Sequence, residues 1–188
     1  MTTAANQATK LGASGGIALY YEGEYNRCIH PTGSLFLGND DHQFAYIIVG
    51  AKMEKTGEYH LYDELKGRMS EEFIGELRQF VLDNKIERII LITNSEELRY
   101  KYKKALGVRM IFEDEKRSNN SSVVLRDWFA RGEDKPLLRI WEKCREGIKA
   151  NYVPTRDCMV RLLDYFDLRM KRKSSGKPVV LGARAGYG

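Results

Sequence analysis

The amino-acid sequence predicts an α/β fold in which helices pack around a mixed β-sheet. Two β-favouring runs joined by a turn, residues 44–53 and 59–65, predict an antiparallel pair of strands. Two later apolar runs, residues 88–92 and 108–112, alternate with segments of helical periodicity. Strands that alternate with helices favour parallel pairing, so the sheet is expected to be antiparallel first and parallel afterwards.

The length and composition are those of a single globular domain. The chain has 188 residues, of which 43% are hydrophobic and 30% charged. No apolar run approaches the roughly 20 residues needed to cross a membrane. The three cysteines, Cys28, Cys144 and Cys158, have no CxxC spacing, which predicts free thiols in a reducing compartment and a cytoplasmic location.

The two ends of the chain differ from the middle in composition. Residues 1–16 are small and polar and are predicted to be disordered, residues 17–172 to form the folded domain, and residues 173–188 to form a flexible basic tail. The net charge is +5, yet no acidic residue follows Asp167, whereas six cations do. Such an end favours a polyanionic partner, nucleic acid before acidic lipid; the alternative is a solvated tail.

The first part of the folded domain is predicted to form β-strands. A strand is expected from Ile17 to Tyr25, with a turn near residues 31–33 and a short apolar piece at residues 34–37 before a polar turn. The run at residues 44–53 is almost continuously apolar, which predicts burial on both faces.

Two helices with clear caps follow. Ser70 is expected to cap the first helix and Asn84 to close it. Ser95 is expected to cap the second, which Gly107 ends. Later helices are expected from Ser121 or Ser122 to Gly132 and from Pro154 onward, with an apolar stretch at residues 137–141 between them. This order of elements is the ribonuclease H-like arrangement.

Several common catalytic motifs are missing from the sequence. There is no GxxxxGK[ST] loop, so no nucleotide-binding P-loop is expected, and there is no GxSxG or HExxH. The three histidines stand apart from one another, and His60, within a strand, is interpreted as structural.

Carboxylates at the ends of predicted elements are the candidate metal ligands. Two Mg²⁺ ions about 4 Å apart can hold the attacking and leaving oxygens of a phosphodiester, and Mg²⁺ takes oxygen ligands. Asp40 and Asp41 precede the 44–53 strand, and Glu96 and Glu97 follow the 88–92 strand. Asp157 lies in the first turn of the last predicted helix. Each also fits an ordinary turn or the first turn of a helix.

A basic stretch of the second helix, RYKYKK at residues 99–104, is a candidate nucleic-acid surface. Lysine and arginine neutralise phosphates, and tyrosines can stack on bases. The alternative is a solvated helix face with Tyr102 packed inward. The candidate nucleic-acid-binding residues are Arg99, Lys101, Lys103, Lys104, Lys116, Arg117, Lys171, Arg172 and Lys173.

Four segments, FAYIIVGAKMEKTGEYHLYDEL, RIILITNSEELRYKYKKALGVRMIFEDEKRSN, SSVVLRDWFARGEDKPLLRIWEKC and RDCMVRLLDYF, together resemble a known family. In order and spacing they resemble the nuclease domain of the tailed-phage terminase large subunit, over roughly residues 34–172. The resemblance implies a ribonuclease H-like fold, two Mg²⁺ or Mn²⁺ ions, cleavage of concatemeric viral double-stranded DNA, and a partner ATPase and portal. It would place the protein in the host cytoplasm.

Carried over by position, the resemblance implies that Asp40 or Asp41 matches the first-strand acid and Asp157 the acid of the final helix. The family has an acid after the central strand, but this sequence has Thr93-Asn94 at that position, and Glu96 or Glu97 could substitute for it. Another alignment would make Glu22 the first metal ligand. Three hypotheses follow: a metal-dependent DNA endonuclease, a module that binds DNA or packaging and virion proteins without cutting, and a junction-resolving nuclease.

Overall fold

One mixed sheet of eight described strands organises the fold. The structure is a computed structural model that describes residues 7–9, 17–21, 24–38, 43–114, 125, 128, 138–149 and 153–174. The strands are β1 Gln7–Thr9, β2 Ile17–Tyr21, β3 Glu24–Leu37, β4 Phe44–Met53, β5 Tyr59–Arg68, β6 Arg88–Ile92, β7 Arg109–Glu113 and β8 Leu138–Ile140. The helices are α1 Glu71–Asp83, α2 Glu96–Leu106, α3 Arg145–Lys149 and α4 Val153–Ser174.

The long strand β3 pairs with three other strands. β4 runs antiparallel along one side of it. On the other side, the first residues of β3 pair antiparallel with β2, and its last residues pair parallel with β6. β6 in turn pairs parallel with β7, whereas β4 leads to β5 and β8. The predicted order of antiparallel strands followed by parallel strands is confirmed.

The turn predicted near residues 31–33 is wrong, because β3 continues through it. The register with β4 shifts between Ile29 and Thr32, and His30 has φ 57°. Pro31 has no N–H to give to a ladder, so the chain accommodates it in an irregularity within the strand. The Thr32 hydroxyl donates to the His30 carbonyl oxygen at 3.0 Å, which satisfies one acceptor of the irregularity.

The capping residues behave as the sequence predicts. The Ser70 side chain accepts from the N–H of Phe73, and Asn84 caps the C-terminus of α1. The Ser95 side chain accepts from the N–H of Leu98, and Gly107 ends α2 in the left-handed conformation at φ 64°.

The two faces of the sheet are covered by different helices. On one face, which we call the α1 face, a Cβ on Gly67 would lie 2.5 Å from Phe73 of α1, and Arg99 of α2 lies over the Phe112 ring of β7. On the opposite face, the α4 face, the Cys158 thiol of α4 contacts the Tyr46 carbonyl oxygen. The sheet is therefore the middle of three layers, and β4 is buried almost throughout, as predicted.

Two predicted boundaries shift. Gln7–Thr9, placed in the disordered stretch 1–16, forms β1, because the outer edge of β2 offers backbone groups to pair with. The final helix ends at Ser174, two residues beyond the predicted domain boundary. The predicted helix from Ser121 or Ser122 to Gly132 lies mostly outside the described residues, although Leu125 and Trp128 are buried. No helix in the described ranges is long and apolar enough to cross a membrane.

Candidate functional site

The C-terminal ends of three strands define one edge of the sheet, which we call the carboxyl edge. β3 ends at Leu37, β6 at Ile92 and β7 at Glu113, and the register places the last residues of these strands side by side. In open sheets that contain parallel strands, ligands bind outside this edge. Chain connections that carry the sequence-predicted acids also leave or enter the sheet here.

Helix α4 brings Asp157 to the carboxyl edge. Its neighbour Cys158 contacts the carbonyl oxygen of Tyr46, which pairs with Phe36 near the end of β3. Later in the helix, Phe166 stacks on Tyr59 at the start of β5, so α4 runs away from this edge. Asp157 is partly exposed in the first turns of the helix.

The predicted first metal ligands, Asp40 and Asp41, lie outside the described residues. The alternative first ligand, Glu22, also lies outside them. β3 ends and β4 begins at the carboxyl edge, where the Gly38 N–H donates to the Phe44 carbonyl oxygen at 2.9 Å. The sequence from Cys28 to Gly38 contains no acidic residue. The first acidic residues after Gly38 in the sequence are Asp40 and Asp41.

The predicted middle ligands, Glu96 and Glu97, are exposed in the first turn of α2. Helix α2 packs on the α1 face, whereas Asp157 belongs to the helix on the opposite face. The two helices cover different faces of the sheet, and both begin at the same edge. Asn94 follows the end of β6 and is exposed.

Glu113 is an acid at this edge that the sequence reasoning missed. It is level with Ile92 in the β6–β7 register, and its carboxylate lies 2.6 Å from Nη1 of Arg161 on α4. Arg161 is one helical turn after Asp157, so the pair lies on the α4 face. Two patterns in the sequence pointed to this pair: the alternation of side chains along β7 and the four-residue spacing of Asp157 and Arg161 in α4. Nothing local in the sequence shows that β7 and α4 are neighbours.

The described acids do not by themselves form a metal centre. Within the described ranges, no three histidine, cysteine, aspartate or glutamate side chains are grouped closely enough to hold a metal ion. The residues that the structure describes therefore do not by themselves make up the two-metal site expected from the sequence.

Two of the candidate DNA-binding cations are engaged within the protein. Arg99 donates to the Thr93 carbonyl oxygen and to Asp114, and Lys101 lies 2.6 Å from Glu71. Lys103 and Lys104 are exposed in the last turn of α2. Lys116 and Arg117 lie outside the described residues; Lys171, Arg172 and Lys173 belong to α4.

His60 is buried in a polar network far from the carboxyl edge. Its Nε2 lies 3.2 Å from Glu58, and its Nδ1 accepts from the Trp141 indole N–H at 3.0 Å. Arg139 donates twice to the other Glu58 oxygen. Burial raises the pKa of Glu58, but the hydrogen bonds from Arg139 and His60 outweigh it and leave this pKa below its usual value. The network joins β5 to β8, in agreement with the structural role predicted for His60.

The three cysteines are free, as predicted, and the structure buries all of them. Burial raises the pKa of the Cys28 thiol to about 12 and those of Cys144 and Cys158 well above their usual range. Because the thiolate is the reactive form, none of these groups is suited to act as a nucleophile near neutral pH.

The fold matches solved nuclease structures. The large terminase of a thermophilic bacteriophage superposes with a TM-score of 0.50 at 12% identity, over 65% of this chain and 32% of that chain. A Fowlpox virus resolvase, solved in complex with substrate Holliday junction DNA, gives 0.51 at 10% identity, over 74% of this chain and 99% of that chain. The chain spans about a third of that terminase's length. No family model and no curated protein matches the chain.

At these identities the comparisons establish the fold. The mixed sheet, with an antiparallel unit followed by parallel strands and flanked by helices, is ribonuclease H-like. The expected likeness to terminase nuclease domains is confirmed at the level of the fold.

Proposed function

We propose that this chain is a divalent-metal-dependent DNA endonuclease that cuts concatemeric viral DNA during genome packaging. One observation carries the proposal: the ends of β3 and β6, the start of β4 and the first turns of α4, which contain Asp157, belong to the same edge of the sheet. Asp40 and Asp41 follow the end of β3 in the sequence. A partner ATPase and a portal would supply DNA movement, since the sequence has no P-loop.

In this proposal the carboxylates at the carboxyl edge hold Mg²⁺ or Mn²⁺. Such ions, when bound, activate water and stabilise charge on phosphate oxygens. Asp157 would be one ligand, and Asp40 or Asp41 another, with Glu96 as the proposed third. The ion pair between Glu113 and Arg161 supports this arrangement by fixing the turn of α4 that follows Asp157 against β7.

A second candidate is a ribonuclease H-like module that binds DNA, or packaging and virion proteins, without cutting. Asn94 follows β6 at the place where the proposed nuclease needs an acid, and Glu96 belongs to a helix on the other face of the sheet. An amide oxygen carries no charge and is a weaker ligand for a hard divalent ion than a carboxylate. This observation favours a module with lost activity.

A cleavage assay separates the two candidates. Linear and supercoiled duplex DNA and a four-way junction are incubated with the protein in Mn²⁺, Mg²⁺ or EDTA. The nuclease proposal expects metal-dependent cleavage that falls by at least a hundredfold in Asp157→Asn and in the double variant Asp40→Asn/Asp41→Asn. Glu142→Gln, at an exposed position away from the carboxyl edge, serves as the charge-matched control.

Each result decides between the candidates. Absence of cleavage by the unaltered chain in either metal, together with calorimetry that detects no Mn²⁺ uptake, would overturn the nuclease proposal and favour the non-cutting module. Equal cleavage by Asp157→Asn would remove Asp157 from the site. Preference for the four-way junction over duplex DNA would favour junction resolution, the substrate class in the Fowlpox resolvase complex, over packaging.

A further inference from the structure

Opposite charges collect at the two ends of the central strands. The carboxyl edge receives the acidic first turns of α1 and α2, with Glu71, Glu72, Glu96 and Glu97. Because α2 runs antiparallel to β6 and β7, its last turn lies at the other end of these strands, roughly 16 Å away for eleven helical residues. Lys103 and Lys104, in the last turn of α2, therefore do not flank the carboxyl edge.

The opposite end carries cations from α2 and β7. Residues 103–109 contribute three positive charges and no negative charge. Within the described part of the chain, these three residues, Lys103, Lys104 and Arg109, are exposed and have no carboxylate partner. By contrast, Lys101 and Arg99, nearer the start of the same helix, are paired with Glu71 and Asp114.

The second half of α4 reaches the same end from the other face of the sheet. Arg109 is level with Arg88 in the β6–β7 register, and the Arg88 guanidinium lies 5.4 Å from the centre of the Tyr165 ring. After Tyr165 the helix continues to Ser174. Residues 168–174 add four positive charges and no negative charge.

Two acids near this end have partners of their own, and two others, Asp164 and Asp167, precede the basic segment of α4. Glu87 lies 3.1 Å from His30, and Asp83 accepts a hydrogen bond from Gln79 at 2.8 Å. They leave the cations of α2 and β7 without a neutralising partner among the described residues. A cluster of cations without counter-charges is stabilised by an external polyanion, whose binding releases condensed counterions.

We infer that this basic end, formed by Lys103, Lys104, Arg109 and the α4 segment 168–174, binds the phosphate backbone of DNA. The inference deepens the proposed function, on which it rests for the choice of DNA as ligand. Lys103 and Lys104 lie at the end of α2 on one face of the sheet, and the basic sequence 168–174 ends α4, which packs on the other face. This spacing suits an extended duplex better than a single bound phosphate. The basic end would hold DNA at a surface separate from the carboxyl edge.

A salt titration in EDTA tests the inference without any contribution from cleavage. Binding of a fluorescent 30-base-pair duplex is measured by anisotropy between 50 and 200 mM salt. Lys103→Ala/Lys104→Ala and Lys171→Ala/Arg172→Ala are each compared with Arg145→Ala/Lys149→Ala, which removes two exposed cations from α3. Each basic-end variant should lower the slope of log Kobs against log salt by about 1.8, since each phosphate contact contributes about 0.9.

The control variant should change the slope by less than half of that amount. The inference is overturned if the unaltered chain does not bind duplex, if all three variants lose the same slope, or if anionic phosphatidylserine vesicles bind more tightly than DNA at equal salt. If the unaltered chain binds duplex DNA with the expected salt dependence but does not cleave it, only the nuclease proposal is contradicted. Failure of the nuclease proposal is therefore distinguishable from failure of this inference.

Discussion

The guanidinium group of Arg99 donates two hydrogen bonds to the carbonyl oxygen of Thr93, from Nε at 3.2 Å and from Nη2 at 2.7 Å. Nη2 also donates to Asp114 at 2.7 Å. Arg99 therefore connects α2 to the end of β6 and to the residue after β7. Arg99, a candidate DNA-binding cation in the sequence analysis, thus holds two strand ends of the carboxyl edge together.

Replacing Arg99 should destabilise the fold. We expect Arg99→Ala to lower the free energy of unfolding by about 1–3 kcal/mol, because the carbonyl of the buried Thr93 loses charged donors. Urea unfolding followed by circular dichroism measures the change. Lys101→Ala, which breaks an exposed ion pair with Glu71, should cost at most about 1 kcal/mol. Equal losses in both variants would contradict the linking role of Arg99.

The Glu58 carboxylate should make stability depend on pH. Its pKa in the fold is lowered, so the unfolded chain binds the proton more tightly and Glu58 stabilises the fold above the unfolded pKa of about 4.3. This stabilisation is lost as the pH falls through the folded pKa. Urea unfolding of Glu58→Gln should show a deficit relative to the unaltered chain at pH 7 that shrinks below about pH 4. A deficit independent of pH would show that the charge of Glu58 is not what stabilises the network.

Two glycine substitutions should have opposite effects. A Cβ on Gly50 would lie 2.7 Å from Leu61 and 3.0 Å from the His60 carbonyl oxygen, so Gly50→Ala should lower the free energy of unfolding by about 1–3 kcal/mol. Gly75, in the middle of α1, has nothing within 4 Å of its Cβ position, and Gly75→Ala should stabilise by about 0.5–1 kcal/mol. Thermal unfolding of both variants gives the comparison, and destabilisation by Gly75→Ala would contradict the open surface there.

Tyr100 should contribute to single-stranded DNA binding without contributing to stability. It is 71% exposed on α2 and precedes Lys103 and Lys104 by three and four residues, which places it on their side of the helix. We expect Tyr100→Ala to weaken anisotropy-measured binding of a single-stranded oligonucleotide by about 1–3 kcal/mol through lost stacking. Leu82→Ala, at a similarly exposed position on α1, is the control. Equal binding by both variants would show that Tyr100 does not contact bases.

Local chemistry made many elements predictable. The near-continuous apolar run of β4, the serine caps at Ser70 and Ser95 and the left-handed Gly107 each act within a few residues. The irregularity at His30 was not predicted, because Pro31 and its neighbours have the local sequence of a turn. Hydrogen bonds to strands on both sides of β3 keep the chain extended there. Pairing with a distant strand is not encoded in a short window of sequence.

The candidate site was less predictable than the fold. Glu96 begins α2 and Asp157 lies in the first turns of α4, but which face of the sheet each helix covers depends on how strands and helices pack. Glu113 lies next to Arg161 because the β6–β7 register puts the end of β7 at the carboxyl edge, and this register could not be predicted from the local sequence. Arg99, Lys101 and Lys104 are all cations of α2, yet within the described part of the chain Arg99 and Lys101 are ion-paired and Lys104 is not.

The sequence by itself determined the order and type of the central elements, since hydrophobic periodicity and caps act between near neighbours. Tertiary structure alone decided that acids gather at one end of the central strands, and that Lys103, Lys104 and Arg109, which have no carboxylate partner among the described residues, lie at the other end. The physical reason is that charges interact over distances set by packing, so residues far apart in the chain become neighbours and adjacent ones can face different partners.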